Sequence, residues 1–264
     1  MDFSSFATRG WLGRAVRLPL RLIPKDAVLP VLQGPLRGRR WIAGPPACVV
    51  KGSMHMLKLD LGCGPFAKEG WESFDNSPSA FLARHPILKW LLWKLGLMTD
   101  DHYRLQWSRN IRWKDVTRGL PYRDNTVDLI HVSHLLEHLS QQQGEKLLLE
   151  CRRVLKPGGV IRIAVPDLFR AAKEYVQNVA PMMEGLAPPD RAPHDRFLEM
   201  MFSGCLRRMR SGHRYAYDYP TLAVLLCRLG FRDVERCSYR KSRHSDLSEM
   251  DSRPEDSIYL EAVK

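Results

Sequence analysis

The chain has 264 residues, 44% of them hydrophobic and 27% charged, which fits one large α/β domain or at most two small ones. Its net charge of +12 is uneven, because residues 1–55 hold nine Lys and Arg against two acids. No apolar run approaches the roughly 20 residues that a membrane-spanning helix requires, so the sequence predicts no such helix.

The first 55 residues read as a basic, proline-rich N-terminal extension, in which looped or extended structure is expected. Pro19 and Pro24 interrupt its mixture of Arg and apolar residues, and no small-residue cleavage site follows, so we do not predict a secretory signal. Two roles stay open for such a segment. It can make peripheral contact with an anionic membrane surface, or it can be an arm that covers the core.

From residue 56, short apolar strands alternate with helical stretches, a pattern typical of a parallel sheet covered by helices. The predicted strands are 56–61, 71–75, 111–115, 127–132, 160–165, 233–239 and 257–263. The predicted helices, in which apolar residues recur every three or four positions, are 79–97, 141–155, 167–179 and 220–229. Ser140 is the N-cap candidate of the second helix, and Pro157-Gly158-Gly159 is its expected end.

Two features of the second half set its architecture apart. Residues 181–214 look like a lid-like insertion between the fifth strand and the helix at 220, and they are the expected substrate-specificity element. The last two strands are joined by a polar loop without a long helix, which predicts an antiparallel hairpin at the sheet edge. A dinucleotide-binding fold would instead continue parallel to its sixth strand.

The ends of the first three strands carry the residue types of a nucleotide-like site. Gly62 and Gly64 flank Cys63 directly after the first strand, where their amides can lie against a ligand. Asp75 closes the second strand, where a carboxylate can accept both hydroxyls of a ribose. Asp115, followed by Val116, ends the third strand and can read an adenine edge. Only six residues separate Gly64 from Trp71, which is too few for a full helix.

Three segments carry a family resemblance: "LDLGCGP", "LPYRDNTVDLIHVSHLLEHL" and "LLLECRRVLKPGGVIRIAVPDL". Over residues 56–264 the chain resembles a class I S-adenosylmethionine-dependent methyltransferase. More narrowly, it is similar to a methyltransferase type 11-like bacterial group with GW-x-x-x-D and LEHL motifs. The implied fold is an α/β, Rossmann-like seven-stranded methyltransferase sheet, mostly parallel, with an antiparallel C-terminal hairpin and a shortened first helix.

The resemblance implies S-adenosyl-L-methionine as the cofactor and assigns residues to it. Those residues are Asp60, Gly62, Cys63, Gly64, Asp75, Asp115, Val116 and Ser133. A general base is needed only where the acceptor loses a proton, and His134 is the candidate because a histidine titrates near neutral pH. His138, His213, Arg214 and Tyr217 are candidates for the substrate side. Cys63 is expected to be an inert residue between two glycines.

Six cysteines lie far apart in the sequence, at Cys48, Cys63, Cys151, Cys205, Cys227 and Cys237. They form no C-x-x-C pair and no Cys/His spacing typical of a metal site, so we expect free thiols, a cytoplasmic location and no bound metal.

The expected activity is methyl transfer to an oxygen or nitrogen of a small or glycan-type acceptor. The alternative is a subunit that binds the cofactor but is inactive and regulates or scaffolds a biosynthetic complex. An NAD-dependent oxidoreductase is disfavoured, because Phe66 stands where a third glycine would be needed. Nucleic acid is an unlikely partner, and the sequence does not predict the oligomeric state.

Overall fold

In a computed structural model of the chain, residues 56–184, 197, 212–253 and 257–264 are described. The predictions for residues 1–55, and those for most of the insertion at 181–214, lie outside this part. The chain divides into two units, Met1–Gly52 and Ser53–Lys264, and everything that follows concerns the second. Within the described residues, no helix is long and apolar enough to cross a membrane.

The domain is built on one seven-stranded sheet in the order β3-β2-β1-β4-β5-β7-β6. The strands are β1 Lys58–Leu61, β2 Glu72–Asp75, β3 Arg112–Trp113, β4 Val127–Ser133, β5 Leu155–Pro166, β6 Arg232–Cys237 and β7 Ser257–Val263. The first five pair in parallel, whereas β7 runs antiparallel to both β5 and β6. The predicted seven strands and the antiparallel C-terminal pair are confirmed.

The helices follow the expected positions with three differences, one of which is a short helix at Asp100–Arg104 that was not predicted. They are α1 Pro78–Ala83, α2 Pro86–Lys94, α3 Asp100–Arg104, α4 Gln141–Val154, α5 Leu168–Met183, α6 Tyr219–Arg228 and α7 Ser245–Ser248. The single helix predicted over 79–97 is wrong, because Pro86 forces His85 out of the helical region, to φ −126° and ψ 69°, and starts a new helix. The short α7 also lies in the loop between β6 and β7, where no helix was predicted.

Helix α4 begins as predicted and ends earlier. Ser140 accepts a hydrogen bond from the Gln143 amide while the Gln143 side chain accepts one from the Ser140 amide, which is a complete capping box. The helix stops at Val154, and Leu155 is already extended at ψ 140° as the first residue of β5. The glycines after Pro157 therefore lie in the strand and not at the helix end.

The hydrophobic core lies on the three central strands and the helices that cover them. Leu59, Ile130 and Ile161, from β1, β4 and β5, are completely buried, and so is Leu148 of α4. Burying one such side chain contributes about 1.5–3 kcal/mol relative to leaving it in water. This packing fixes the three strand ends rigidly against one another.

A buried arginine ties the loop after β6 to the sheet. Arg162 of β5 donates to Asp251 through Nε and Nη2, at 2.8 and 2.6 Å, and to Glu261 of β7 at 2.7 Å. It also donates to the carbonyl oxygens of Ser238 and Lys241 at 3.1 Å each. All three charged side chains are completely shielded from solvent. The loop between β6 and β7 is thereby held at the carboxyl end of the sheet.

Candidate active site

The glycine turn after β1 is shaped for close approach. Gly62 and Gly64 have φ of 76° and 63°, a left-handed conformation that favours glycine. The amides of Gly62 and Cys63 both point to the Phe74 carbonyl oxygen of β2, at 2.9 and 3.3 Å. A Cβ on Gly62 would lie 2.9 Å from the Leu135 Cβ, whereas a Cβ on Gly64 would meet nothing within 4 Å. A ligand can therefore reach the backbone at Gly64.

The connection from Gly64 to β2 consists of turns and bends and contains no helix. It closes with the Trp71 amide donating to the Lys68 carbonyl oxygen at 3.2 Å, just after Gly70 at φ 77°. The predicted shortening of the first helix is thus complete. S-adenosylmethionine carries no phosphate, so it does not need the anion-binding helix terminus that this connection lacks.

Asp75 lies where a ribose acceptor is expected. Its Oδ2 accepts from the Gly64 amide at 3.1 Å, and its Oδ1 accepts from the Ser77 amide at 2.7 Å. A carboxylate offers about four acceptor positions, so roughly two remain for a pair of hydroxyl groups. These two bonds also fix the carboxylate beside the glycine turn.

Asp115 caps the short 3₁₀-helix Val116–Arg118 beside the next strand. Its Oδ1 accepts from the Thr117 amide at 3.1 Å and from the Thr117 hydroxyl at 2.6 Å. Its Oδ2 accepts from Arg118 Nε at 3.1 Å and retains capacity for another donor, such as an adenine amino group. Val116 is buried in the core and supplies an apolar wall.

Two cavities meet at Gly62. The larger, of about 730 Å³, is lined by Asp60, Cys63, Gly64, His131, Ser133 and His134, among others. The smaller, of about 280 Å³, is lined by Asp75, Asp115, Val116, His138 and Arg214, among others. Every predicted cofactor residue therefore lines one of the two cavities. Their combined size is at the upper limit of the usual range for a small-molecule cleft, which is about 300–1,000 Å³.

Cys63 is chemically quiet despite its position in the cleft. Burial, and next the negative charges of Asp60 and Asp75, raise the pKa of the Cys63 thiol well above its ordinary value. The thiol also donates to the Gly64 carbonyl oxygen at 3.4 Å. A protonated thiol adds no charge next to the two carboxylates, which fits a lining residue better than a nucleophile.

His134 is held at both ring nitrogens. Its Nδ1 lies 3.0 Å from Glu137 Oε1 and its Nε2 lies 3.0 Å from the Ser257 hydroxyl. The backbone of His134 has φ 49°, a strained value for a residue with a side chain. To take a proton from an acceptor, Nε2 would first have to give up Ser257, so the general-base role stays a prediction.

The four substrate-side candidates do not all lie in the cleft. The His138 and His213 rings are 5.0 Å apart, edge to face, and Arg214 is exposed on the smaller cavity. Tyr217 is instead 1% exposed and packs in the core, where its hydroxyl has no partner among the described residues. The substrate-side role of Tyr217 stays a prediction. Its burial does not favour that role, because a substrate cannot reach a side chain inside the core.

Two buried polar residues of the site were missed by the sequence reasoning. His131 of β4 lies 2.8 Å from Asp60 of β1, and the two are 2% and 4% exposed. Glu137 is 2% exposed between His134 and His138. The available signals were a histidine inside the apolar run "VDLIHV" and an acid inside "LLEHL", each a polar residue where only apolar ones are expected.

The fold and the cleft together define a class of protein. The strand order, with β7 inserted antiparallel between β5 and β6, is that of the class I methyltransferase sheet. The cleft lies at the carboxyl ends of β1, β2 and β4, where open α/β sheets bind ligands. An open glycine turn and two strand-end carboxylates with spare acceptor positions fit S-adenosylmethionine, the cofactor of this class.

Comparison with known proteins agrees with this class. Residues 100–163 match the family described as Methyltransferase domain. The chain is 30% identical over 123 residues to the ubiquinone/menaquinone biosynthesis C-methyltransferase UbiE of Hydrogenovibrio crunogenus, a match covering 44% of this chain and 43% of that protein. It is 28% identical over 131 residues to the demethylmenaquinone methyltransferase of Tropheryma whipplei, covering 48% and 49%. The chain thus spans about half the length of the curated relatives it matches.

Among solved structures, a methyltransferase of Archaeoglobus fulgidus described as SAM-dependent aligns with 79% of this chain and 86% of its own, at 17% identity and a TM-score of 0.42. The family match therefore covers residues 100–163, and the strand order of the described residues is the one expected for a class I S-adenosylmethionine-dependent methyltransferase.

Proposed function

We propose that the chain transfers a methyl group from S-adenosylmethionine to an oxygen or nitrogen of a small or glycan-type acceptor. The observation that carries the proposal is the meeting of the glycine turn, Asp75 and Asp115 on adjoining cavities. The sulfonium of the cofactor is already activated for displacement. Catalysis then depends mainly on holding the acceptor atom in line with the methyl group.

Each part of the cleft has a place in this reaction. Asp75 holds the ribose, Asp115 and Val116 receive the adenine, and the open backbone at Gly64 faces the methionine end. Ser133 and His134, past the end of β4, border the larger cavity, in which the acceptor would lie. Arg240 and Arg253 line the same cavity and are exposed, alongside the acids Asp60, Glu249 and Asp251.

Cofactor binding is tested by calorimetry with S-adenosylhomocysteine, the product form of the cofactor. We expect one equivalent to bind, and Asp75→Ala to weaken binding by about 10- to 100-fold, because charge-assisted hydrogen bonds to two hydroxyls are lost. Asp101→Ala is the matched control, since Asp101 is an exposed acid of α3 outside both cavities. Equal affinity of the Asp75 variant and the wild type would refute the ribose assignment.

The acceptor is tested separately with labelled S-adenosylmethionine against classes of glycans, metabolites and RNA. Transfer to one class of oxygen or nitrogen nucleophile is the expected result. If the cofactor binds and every class fails, the chain is a binding subunit and not a catalyst.

We further propose that the basic segment 1–55 makes peripheral contact with an anionic membrane surface. What supports it is composition: the segment holds nine Lys and Arg but only two of the 29 acids, so it carries more than half of the net charge of +12. Each basic residue near an anionic bilayer contributes about 1 kcal/mol of attraction.

A further inference from the structure

Three potential metal ligands meet beside the cofactor cleft. Glu137 and His138 lie on the 3₁₀-helix Leu136–His138 that follows β4, and His213 lies on the segment that returns before α6. One ligand atom from each of the three lies within 4.8 Å of the others. Glu137 and His213 are 76 positions apart in the sequence, so no local spacing motif predicts the cluster.

Two atoms of this cluster are buried without a protein partner. Glu137 is 2% exposed, and while its Oε1 contacts His134, its Oε2 has no hydrogen-bond partner among the described residues. The same holds for the buried Nδ1 of His138 within the described part of the chain. A buried carboxylate oxygen left without a partner keeps its full desolvation penalty, so such an atom indicates a bound group.

We propose that Glu137, His138 and His213 bind a divalent transition-metal ion. Two imidazoles and one carboxylate are the donor set that zinc and its neighbours prefer in sites that keep a position open. Around a tetrahedral ion about 2.1 Å from each ligand, the ligand atoms lie about 3.4 Å apart, so the three atoms need to draw together only modestly. The cation satisfies the unpaired oxygen and nitrogen together.

The surroundings of the cluster hold it in place. His134 Nδ1 contacts Glu137 Oε1, the oxygen that does not face the ion, and the Ser257 hydroxyl contacts Nε2 on the other side of the His134 ring. The amides of Arg214 and Tyr215 donate to the Glu137 carbonyl oxygen at 2.7 and 3.3 Å. These bonds dock the segment that carries His213 against the 3₁₀-helix. Hydrogen bonds behind the ligands are what orients them in metal sites, which makes His134 a positioning residue here.

The position of the cluster suggests what the ion does. His138 also lines the smaller cavity together with Gly62 and Arg214, so the ion would lie at the edge of the cofactor cleft. A divalent ion with an open position would bind the acceptor hydroxyl and lower its pKa, so that the hydroxyl could lose its proton to solvent water without a protein base. This role rests on the proposed methyltransferase function, whereas metal binding itself does not.

The experiment titrates the full-length chain, freed of metal by a chelator, with Co²⁺ and follows its visible absorption. We expect one equivalent with the bands of nitrogen and oxygen ligation and without a thiolate charge-transfer band. Glu137→Gln, His138→Gln and His213→Gln should each weaken binding by at least about tenfold, and His134→Gln by about 10- to 100-fold through loss of orientation. His85→Gln is the control, because His85 is exposed on the link between α1 and α2.

Circular dichroism of each variant shows whether it is folded. If Glu137→Gln unfolds the chain, the Co²⁺ affinity of His213→Gln tests the metal site instead. Absence of saturable Co²⁺ binding, or wild-type affinity in the His138 and His213 variants, would overturn the site. Calorimetry with S-adenosylhomocysteine on the same samples separates the two ideas. Binding of S-adenosylhomocysteine without binding of Co²⁺ would refute the metal site alone. Binding of Co²⁺ without binding of S-adenosylhomocysteine would refute the proposed function alone.

Discussion

At the scale of single residues, the side chains of the cleft next to the glycine turn are either neutral or already hydrogen-bonded within the protein. Asp75 is fixed by two amides and keeps acceptor positions for a ligand, while Cys63 stays a thiol beside it. A thiolate at this point would repel both Asp60 and Asp75. The chemistry of the turn is therefore binding, and the reacting atoms belong to the cofactor and acceptor.

The raised pKa of Cys63 leads to a prediction about alkylation. Each pH unit by which a thiol pKa rises lowers its thiolate fraction about tenfold at any pH below both values. At pH 8 we expect iodoacetamide to label Cys63 at least about tenfold more slowly than Cys227, which is exposed. Peptide mass spectrometry of a time course measures both rates in one sample. Equal rates would contradict the inert thiol.

At the scale of elements, the sequence predicted those helices and strands whose structure depends only on residues within the same segment. The Ser140 N-cap and the apolar periodicity of α4 were predicted from the sequence, as were the strands that alternate with helices. The helix expected over 79–97 failed because its apolar periodicity was read across Pro86, whose effect on His85 breaks the helix. The loop from β6 to β7 was predicted, but the way it is anchored was not, since its anchor is Arg162 of β5.

That anchor predicts a large stability difference between two arginines. Removing Arg162 leaves Asp251 and Glu261 as buried, unpaired charges, which costs about 3–5 kcal/mol. We expect Arg162→Ala to lower the free energy of unfolding in urea by that amount. Arg228→Ala is the control, because its ion pair with Glu145 is largely exposed and worth at most about 1 kcal/mol. Similar losses in both variants would mean that the buried network does not anchor the loop.

At the scale of the whole molecule, charge is separated along the chain. The segment 1–55 carries nine Lys and Arg against two acids, whereas the remaining four-fifths is only modestly basic. The excess arises because acids are scarce in this segment, which leaves most of its basic residues without a compensating charge. A surface of opposite sign is the simplest partner for it.

The membrane proposal predicts salt-sensitive binding to vesicles. Full-length protein should co-sediment with vesicles containing phosphatidylserine and not with pure phosphatidylcholine, and binding should fall with added salt. Reversal of Arg37, Arg39 and Arg40 to Glu should weaken it by at least about tenfold, since each reversal removes about 1 kcal/mol or more. Reversal of the exposed Arg104, Arg109 and Arg123 changes the net charge equally and is the control. An equal effect of both triple variants would assign binding to net charge alone.

The sequence by itself predicted the sheet and its longer helices, and it placed the candidate cofactor residues at the strand ends. Those features arise from short-range periodicity and from acids and glycines placed directly at strand ends. Only the tertiary structure decided which side chains meet across the fold, as Ser257 meets His134 and His213 meets Glu137 and His138. Such contacts depend on the pairing of β5 with β7 and on the docking of a returning segment, which bring together atoms far apart along the chain.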